Sequence, residues 1–236
     1  LAIAVCCIGI AIIVCMLTID GPIAQAIRLG PTDDFLKSKG TGRWVAEILK
    51  LPGEAWFAAL AALLAALIYA RHDKASGLIA GLAIAFGSAL SGINGLIKWI
   101  VGRERPFRGS DPSIPQPLEF EPFRGGLTGL FDGRNLSFPS GHASLAMALG
   151  VGLGIAFPRY RWFFFAAAAA CALERVAENA HYLSEVIAGG LLGTLCAIMA
   201  WRLTGSLAGK WIARKAHAGN EVSPAQPAPS AESDGL

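Results

Sequence analysis

Apolar residues gather in long runs along this chain, and polar residues fall between them in short clusters. Runs of this length suit helices that cross a bilayer, at about 1.5 Å per residue against a hydrocarbon core of about 30 Å. Six spans can be drawn, over 1–19, 52–70, 75–101, 141–157, 162–177 and 183–203. The expected fold is therefore all-α, a polytopic membrane helical bundle with six transmembrane helices. Trp56 and Tyr69 stand near the ends of the second span as interface anchors. Gly189, Gly190 and Gly193 narrow the sixth span enough for close helix contact.

The segments between the spans differ in kind. Residues 20–51 form a mixed loop in which Trp44, Val45, Ile48 and Leu49 recur at helical spacing, predicting an amphipathic helix at the interface. Residues 102–137 form a long loop rich in Pro and Gly, and two hairpins close over only a few residues. Two domains follow: a six-span membrane domain over 1–219 and a disordered cytoplasmic tail over 220–236, composed of Pro, Ala, Ser and acidic residues with nothing to bury. No internal repeat is evident. The chain opens at Leu1 without an initiator Met, as a trimmed piece would, and its first run lacks the basic n-region of a signal peptide.

Composition agrees with the pattern. Hydrophobic residues make up 54% of the 236, charged residues only 16%, and mean hydropathy is +0.51, well away from an ordinary soluble domain. A net charge of +3 with basic residues in short loops gives a nucleic-acid partner little support. Cys6, Cys7, Cys15, Cys171 and Cys196 sit in apolar runs without zinc-like spacing and read as small hydrophobes. If six spans alternate, Arg71 with Lys74, Arg159 with Arg161, and Lys210 with Arg214 and Lys215 share one side, which should be cytoplasmic. The expected location is the bacterial cytoplasmic (inner) membrane, multi-pass, with the remaining loops facing the periplasm or exterior.

Three polar clusters fall on that outward side. Lys98 and Arg105 lie seven residues apart and share a face if their helix continues through Glu104 to a stop at Pro106. Such a pair can hold phosphate oxygens, or can merely snorkel at a span end. Pro139-Ser140-Gly141-His142 precedes an apolar helix. Ser140 is a candidate N-cap, Gly141 lets an anion approach the free N–H groups, and His142 could protonate a leaving group or simply sit at the cap. In the third cluster, the spacing of His181 and Glu185 puts a carboxylate beside an imidazole on a helix. That contact fixes the tautomer and leaves the other ring nitrogen for attack. Arg175 adds a cation, although an internal ion-pair network with Glu174 and Glu178 would explain the glutamates equally well.

The three clusters in this order resemble the type 2 phosphatidic acid phosphatase (PAP2) superfamily, and its integral membrane lipid phosphatases in particular. That family's pattern is Lys, six residues, Arg-Pro; then Pro-Ser-Gly-His; then Ser-Arg, five residues, His, three residues, Asp. Lys98 with Arg105-Pro106 and Pro139–His142 match the first two motifs, and Arg175 and His181 match the third in spacing. Glu185 stands where the family has Asp, and Glu174 where it has Ser. The resemblance implies a PAP2-like core over roughly 52–203. It makes His181 the nucleophile of a phosphohistidine intermediate and His142 the general acid, with Glu185 orienting His181. Lys98, Arg105, Ser140, Gly141 and Arg175 would hold the phosphoryl oxygens.

No cofactor or metal is implied. The implied function is hydrolysis of a lipid phosphate or a polyprenyl diphosphate, such as undecaprenyl diphosphate, at the outer membrane–water interface. The partner is thus a membrane lipid phosphate within the bilayer. A lipid phosphotransferase using the same intermediate is an alternative, as is a degenerate member that binds lipid without turnover. An anion transporter finds no broken-helix repeat, and a zinc hydrolase finds no ligand spacing.

Overall fold

In the computed structural model, residues 2–37, 40–107, 113–129 and 136–221 are described. They form α1 (Ala2–Thr18), α2 (Asp20–Leu29), α3 (Pro31–Lys37), α4 (Thr41–Lys50), α5 (Ala55–Ala70), α6 (Lys74–Leu90), α7 (Asn94–Val101), a single turn α8 (Gly126–Gly129), α9 (Gly141–Ala156), α10 (Arg161–Ala177) and α11 (Leu183–Glu221). Only two isolated bridges, Arg103 with Phe120 and Glu104 with Leu136, pair extended backbone among these residues. The expected all-α character holds. Of the expected disordered tail over 220–236, Asn220 and Glu221 instead end α11, and 222–236 lie outside the described residues, as do 108–112 and 130–135 of the long loop.

The six-span expectation does not hold. Among the described residues two helices, Lys74–Val101 and Leu183–Leu207, are long and apolar enough to cross a membrane. Counting each bent pair as one span, Gly9–Thr18 with Asp20–Leu29 (54°) and Thr41–Gly53 with Ala55–Ala70 (57°), raises the number to four at most. The reason lies in helix length and bends. α9 has 16 residues, which reach only about 24 Å. α10 has 17 and carries Glu174 and Arg175 in its last turn. The first apolar run turns sharply into α2, and the run at 52–70 turns back into α4. The assignment to a multi-pass inner-membrane bundle with an outward face rested on six alternating spans, and it falls with that count.

α9 is the centre of the molecule, packed against α5, α6, α10 and α11. Its hydrophobicity is nearly uniform around the axis because it is enclosed on most sides. Ten of its residues, mainly Ala and Gly, are buried. Ala58, Ala62 and Ala65 of α5, Ile84 of α6 and Leu149 of α9 form the main apolar cluster. These small residues allow close backbone approach. A Cβ on Gly193 would run into the Ser144 carbonyl, and one on Gly189 into that of Ser140. The start of α11 is thereby pressed against the start of α9, which joins two of the polar clusters. Large apolar side chains such as Leu63, Leu67, Trp162 and Phe163 point outward instead. The helix predicted from Trp44 and Ile48 is α4, and both side chains are exposed while Gly42 and Ala46 are buried.

Candidate active site

The first cluster forms differently from its sequence expectation. α7 ends at Val101, and Gly102 takes a left-handed conformation (φ 65°), its N–H bonding the Lys98 carbonyl. A Cβ there would strike the Glu121 carbonyl, so glycine is required on steric as well as conformational grounds. The helix therefore stops before Glu104, and Arg103 and Glu104 run extended. Lys98 and Arg105 still work on the same region. Lys98 Nζ donates to the carbonyls of Leu136 and Ser137, both at 3.1 Å. Arg105 Nη1 donates to the Ala180 carbonyl at 3.0 Å, next to His181.

The second cluster caps α9 as its sequence predicts. Ser140 Oγ accepts from Ala143 N at 3.4 Å, and Ser140 N donates to the Glu185 carbonyl at 3.0 Å. His142 Nε2 lies 3.3 Å from Glu54 Oε1. Burial, then the charge of Arg175, lowers the His142 pKa from its ordinary value, and Glu54 partly offsets both.

The third cluster joins the other two. His181 Nδ1 lies 2.9 Å from Glu185 Oε2, although His181 occupies the turn just before α11 rather than the helix itself. The same oxygen accepts from Tyr182 N at 3.1 Å and from Ser137 Oγ, and Ser137 Oγ stands 3.1 Å from His181 Nδ1. Burial holds His181 well below the usual histidine pKa, and the charges of Lys98, Arg105 and Arg175 push it further down. A neutral imidazole with Nδ1–H directed at a carboxylate has Nε2 as its basic atom. The extra methylene of Glu185 is accommodated by spanning two partners: its Oε1 lies 3.2 Å from Arg103 Nη1.

Arg103, Ser137, Glu54, Asp20 and Lys50 were not legible as site residues. Arg103 is fully buried, pairing with Asp20 Oδ2 at 2.8 Å and Ser184 Oγ at 2.8 Å while stacking over the Tyr182 ring. Asp20, in turn, accepts from Ser184 N at 3.0 Å and Ser184 Oγ at 2.5 Å. A hint existed in the sequence, since an aspartate directly after an apolar run is costly unless paired.

Arg175 does not stand open. Its guanidinium makes a two-point contact with Glu174, at 2.6 and 2.6 Å, and another with Glu178 at 2.6 Å. Lys50 of α4 closes that network, 2.9 Å from Glu178. Glu174 thus points at Arg175, and the anticipated ion-pair network and the anticipated phosphate-binding arginine are the same group. Among the described residues no three His, Cys, Asp or Glu side chains gather as metal ligands would.

The helix arrangement and the three clusters can be set beside known families. The profile of the PAP2 superfamily matches residues 76–207, more than half of the chain, from early α6 into α11. The chain belongs to the PAP2 superfamily. All three clusters fall inside the matched range, whereas Lys50, Glu54 and Asp20 lie before it. No curated protein and no solved structure matches the chain. The PAP2 membership establishes a hydrolase superfamily.

Proposed function

We propose that this protein is a metal-independent phosphatase acting on a lipid phosphate or diphosphate through a phosphohistidine at His181. The observation that carries the reading is the contact of His181 Nδ1 with Glu185 Oε2 at 2.9 Å, beside three cationic side chains whose charge His181 feels. Glu185 and Ser137 hold the tautomer, so Nε2 is the nucleophile. Nε2 attacks phosphorus, the N–P bond forms as the P–O bond to the lipid breaks, and His142 gives its proton to the departing oxygen. Water then attacks phosphorus, His142 takes its proton, and the N–P bond breaks to release inorganic phosphate.

Lys98, Arg105, Arg175, Ser140 and the Gly141 N–H hold the phosphoryl oxygens at the start of α9. Lys98 and Arg105 donate to carbonyls and Arg175 to glutamates, partners that a phosphate would replace with its own oxygens. Interception of the phosphohistidine by a lipid alcohol instead of water would make the protein a phosphotransferase. Purified protein should release phosphate from at least one of phosphatidate, phosphatidylglycerol phosphate, undecaprenyl diphosphate and lipid A, with release lost in His181→Ala. Equal release by both proteins would refute the assignment of His181, and no release from any of them would favour lipid binding without turnover.

A further inference from the structure

An apolar cavity of about 320 Å³ runs down the outside of α9, between α5 and α10. Ala146, Leu149 and Leu153 of α9 line it with Ala61 of α5 and Ala167 of α10, and Phe157, just past the end of α9, stands at its foot. Its upper edge is Pro52. The next residue, Gly53, is packed so tightly that a Cβ on it would meet His142 Cβ at 2.9 Å. The three helices are in step. Lys50, Glu54, His142 and Arg175 mark one end, through the His142–Glu54 contact and the bond from Cys171 to the Lys50 carbonyl. The other end is closed by aromatic rings: Tyr69 and Phe157 stand 5.4 Å apart, and Phe157 and Phe164 stand 6.4 Å apart. Leu64, Ile68 and Phe163 on the rims are exposed, so the groove opens sideways.

We infer that this groove holds one hydrocarbon chain of the phosphate-bearing substrate, with the phosphate at His142 and the chain end at the Phe157–Phe164 floor. The inference rests on the proposed phosphatase reading and adds to it a chain subsite with a defined length. The distance along α9 from Ala146 to Phe157 is about 16 Å, and half of a hydrocarbon core is about 15 Å. A single straight chain therefore fits from headgroup to floor, one helical turn below a cationic site that suits its phosphate. The lining has no polar group to satisfy, which fits an alkyl or isoprenoid chain and no polar occupant. Ala61 and Ala167 lie part-way down, where a large side chain would cut the groove short. Leu67, on the outer surface of α5 and away from the lining, serves as the control position.

Hexadecyl phosphate carrying a diazirine at its chain end is the direct probe, used on the full chain in detergent micelles. Photolysis should label Phe157, Phe163 or Phe164 in the unmodified protein, and Ala61→Trp and Ala167→Trp should each lose that labelling. The ratio of kcat/KM for hexadecyl over octyl phosphate should fall about tenfold or more in both variants and stay unchanged in Leu67→Trp. Labelling elsewhere, or equal labelling by the matching phosphate-free alcohol, would overturn the inference. So would an unmoved chain-length ratio in both tryptophan variants. Floor labelling together with no release from any of the four lipids named above would uphold the groove and overturn the phosphatase reading.

Discussion

Glu185 is one methylene longer than the family's aspartate, and that length lets it touch His181 with one oxygen and Arg103 with the other. Glu185→Gln would keep the shape and lose the charge that holds the His181 tautomer. It should lower kcat about 10²–10⁴-fold with little change in KM, and unchanged turnover would remove Glu185 from the mechanism. Arg103→Leu would strand Asp20 and Glu185 as buried charges. The loss should be about 3–5 kcal/mol of stability, read as a drop in the unfolding midpoint, with Arg103→Lys recovering part of it.

Under the proposed mechanism the two histidines set opposite limbs of the pH profile. Because burial and the neighbouring cations depress the His181 pKa, the acid limb of kcat/KM should lie below the ordinary histidine value of about 6.5. The sign for stability is the same. The unfolded chain takes the proton first, so His181's contribution is complete above about 6.5 and is lost as pH falls towards its folded value. Glu54 stabilises the protonated form of His142, so Glu54→Gln should move the alkaline limb to lower pH. An alkaline limb that stays put, or moves up, would show that His142 is not the acid.

At the scale of elements, the site depends on how closely α11 lies on α9. Gly193→Ala forces a methyl against the Ser144 carbonyl, and the two helices must separate. The expected cost is about 1–3 kcal/mol, seen in thermal unfolding of the purified protein; an unchanged midpoint would mean the pair is looser than its geometry implies. The sequence pattern was sufficient for α4, the Ser140 cap and the hairpins, because each depends on local spacing or a local hydrogen bond. It misplaced the end of α7, where Gly102 and not Pro106 ends the helix, since the chain leaves in extended form to pair with Phe120 and Leu136. It also could not show the roles of Asp20 and Arg103. Their partners lie 83 residues apart, a separation no periodicity encodes.

For the whole molecule, the motifs were legible because their residue types and order are specific to one chemistry, and the PAP2 match over 76–207 agrees with them. The span count was not, because hydropathy does not see bends. An Ala- and Gly-rich run reads as lipid-facing when it is in fact enclosed, as α9 is, or turned, as at Thr18 and Gly53. The proposed reaction passes through a covalent phosphorus–nitrogen bond at His181. It is tested most directly by rapid quench of the purified protein with a ³²P-labelled lipid phosphate that it turns over, followed by mapping of the label. The predicted result is acid-labile, base-stable label on the peptide containing His181, absent in His181→Ala and persisting longer in Glu185→Gln. Turnover with no label on that peptide, or with the label on another residue, would contradict it.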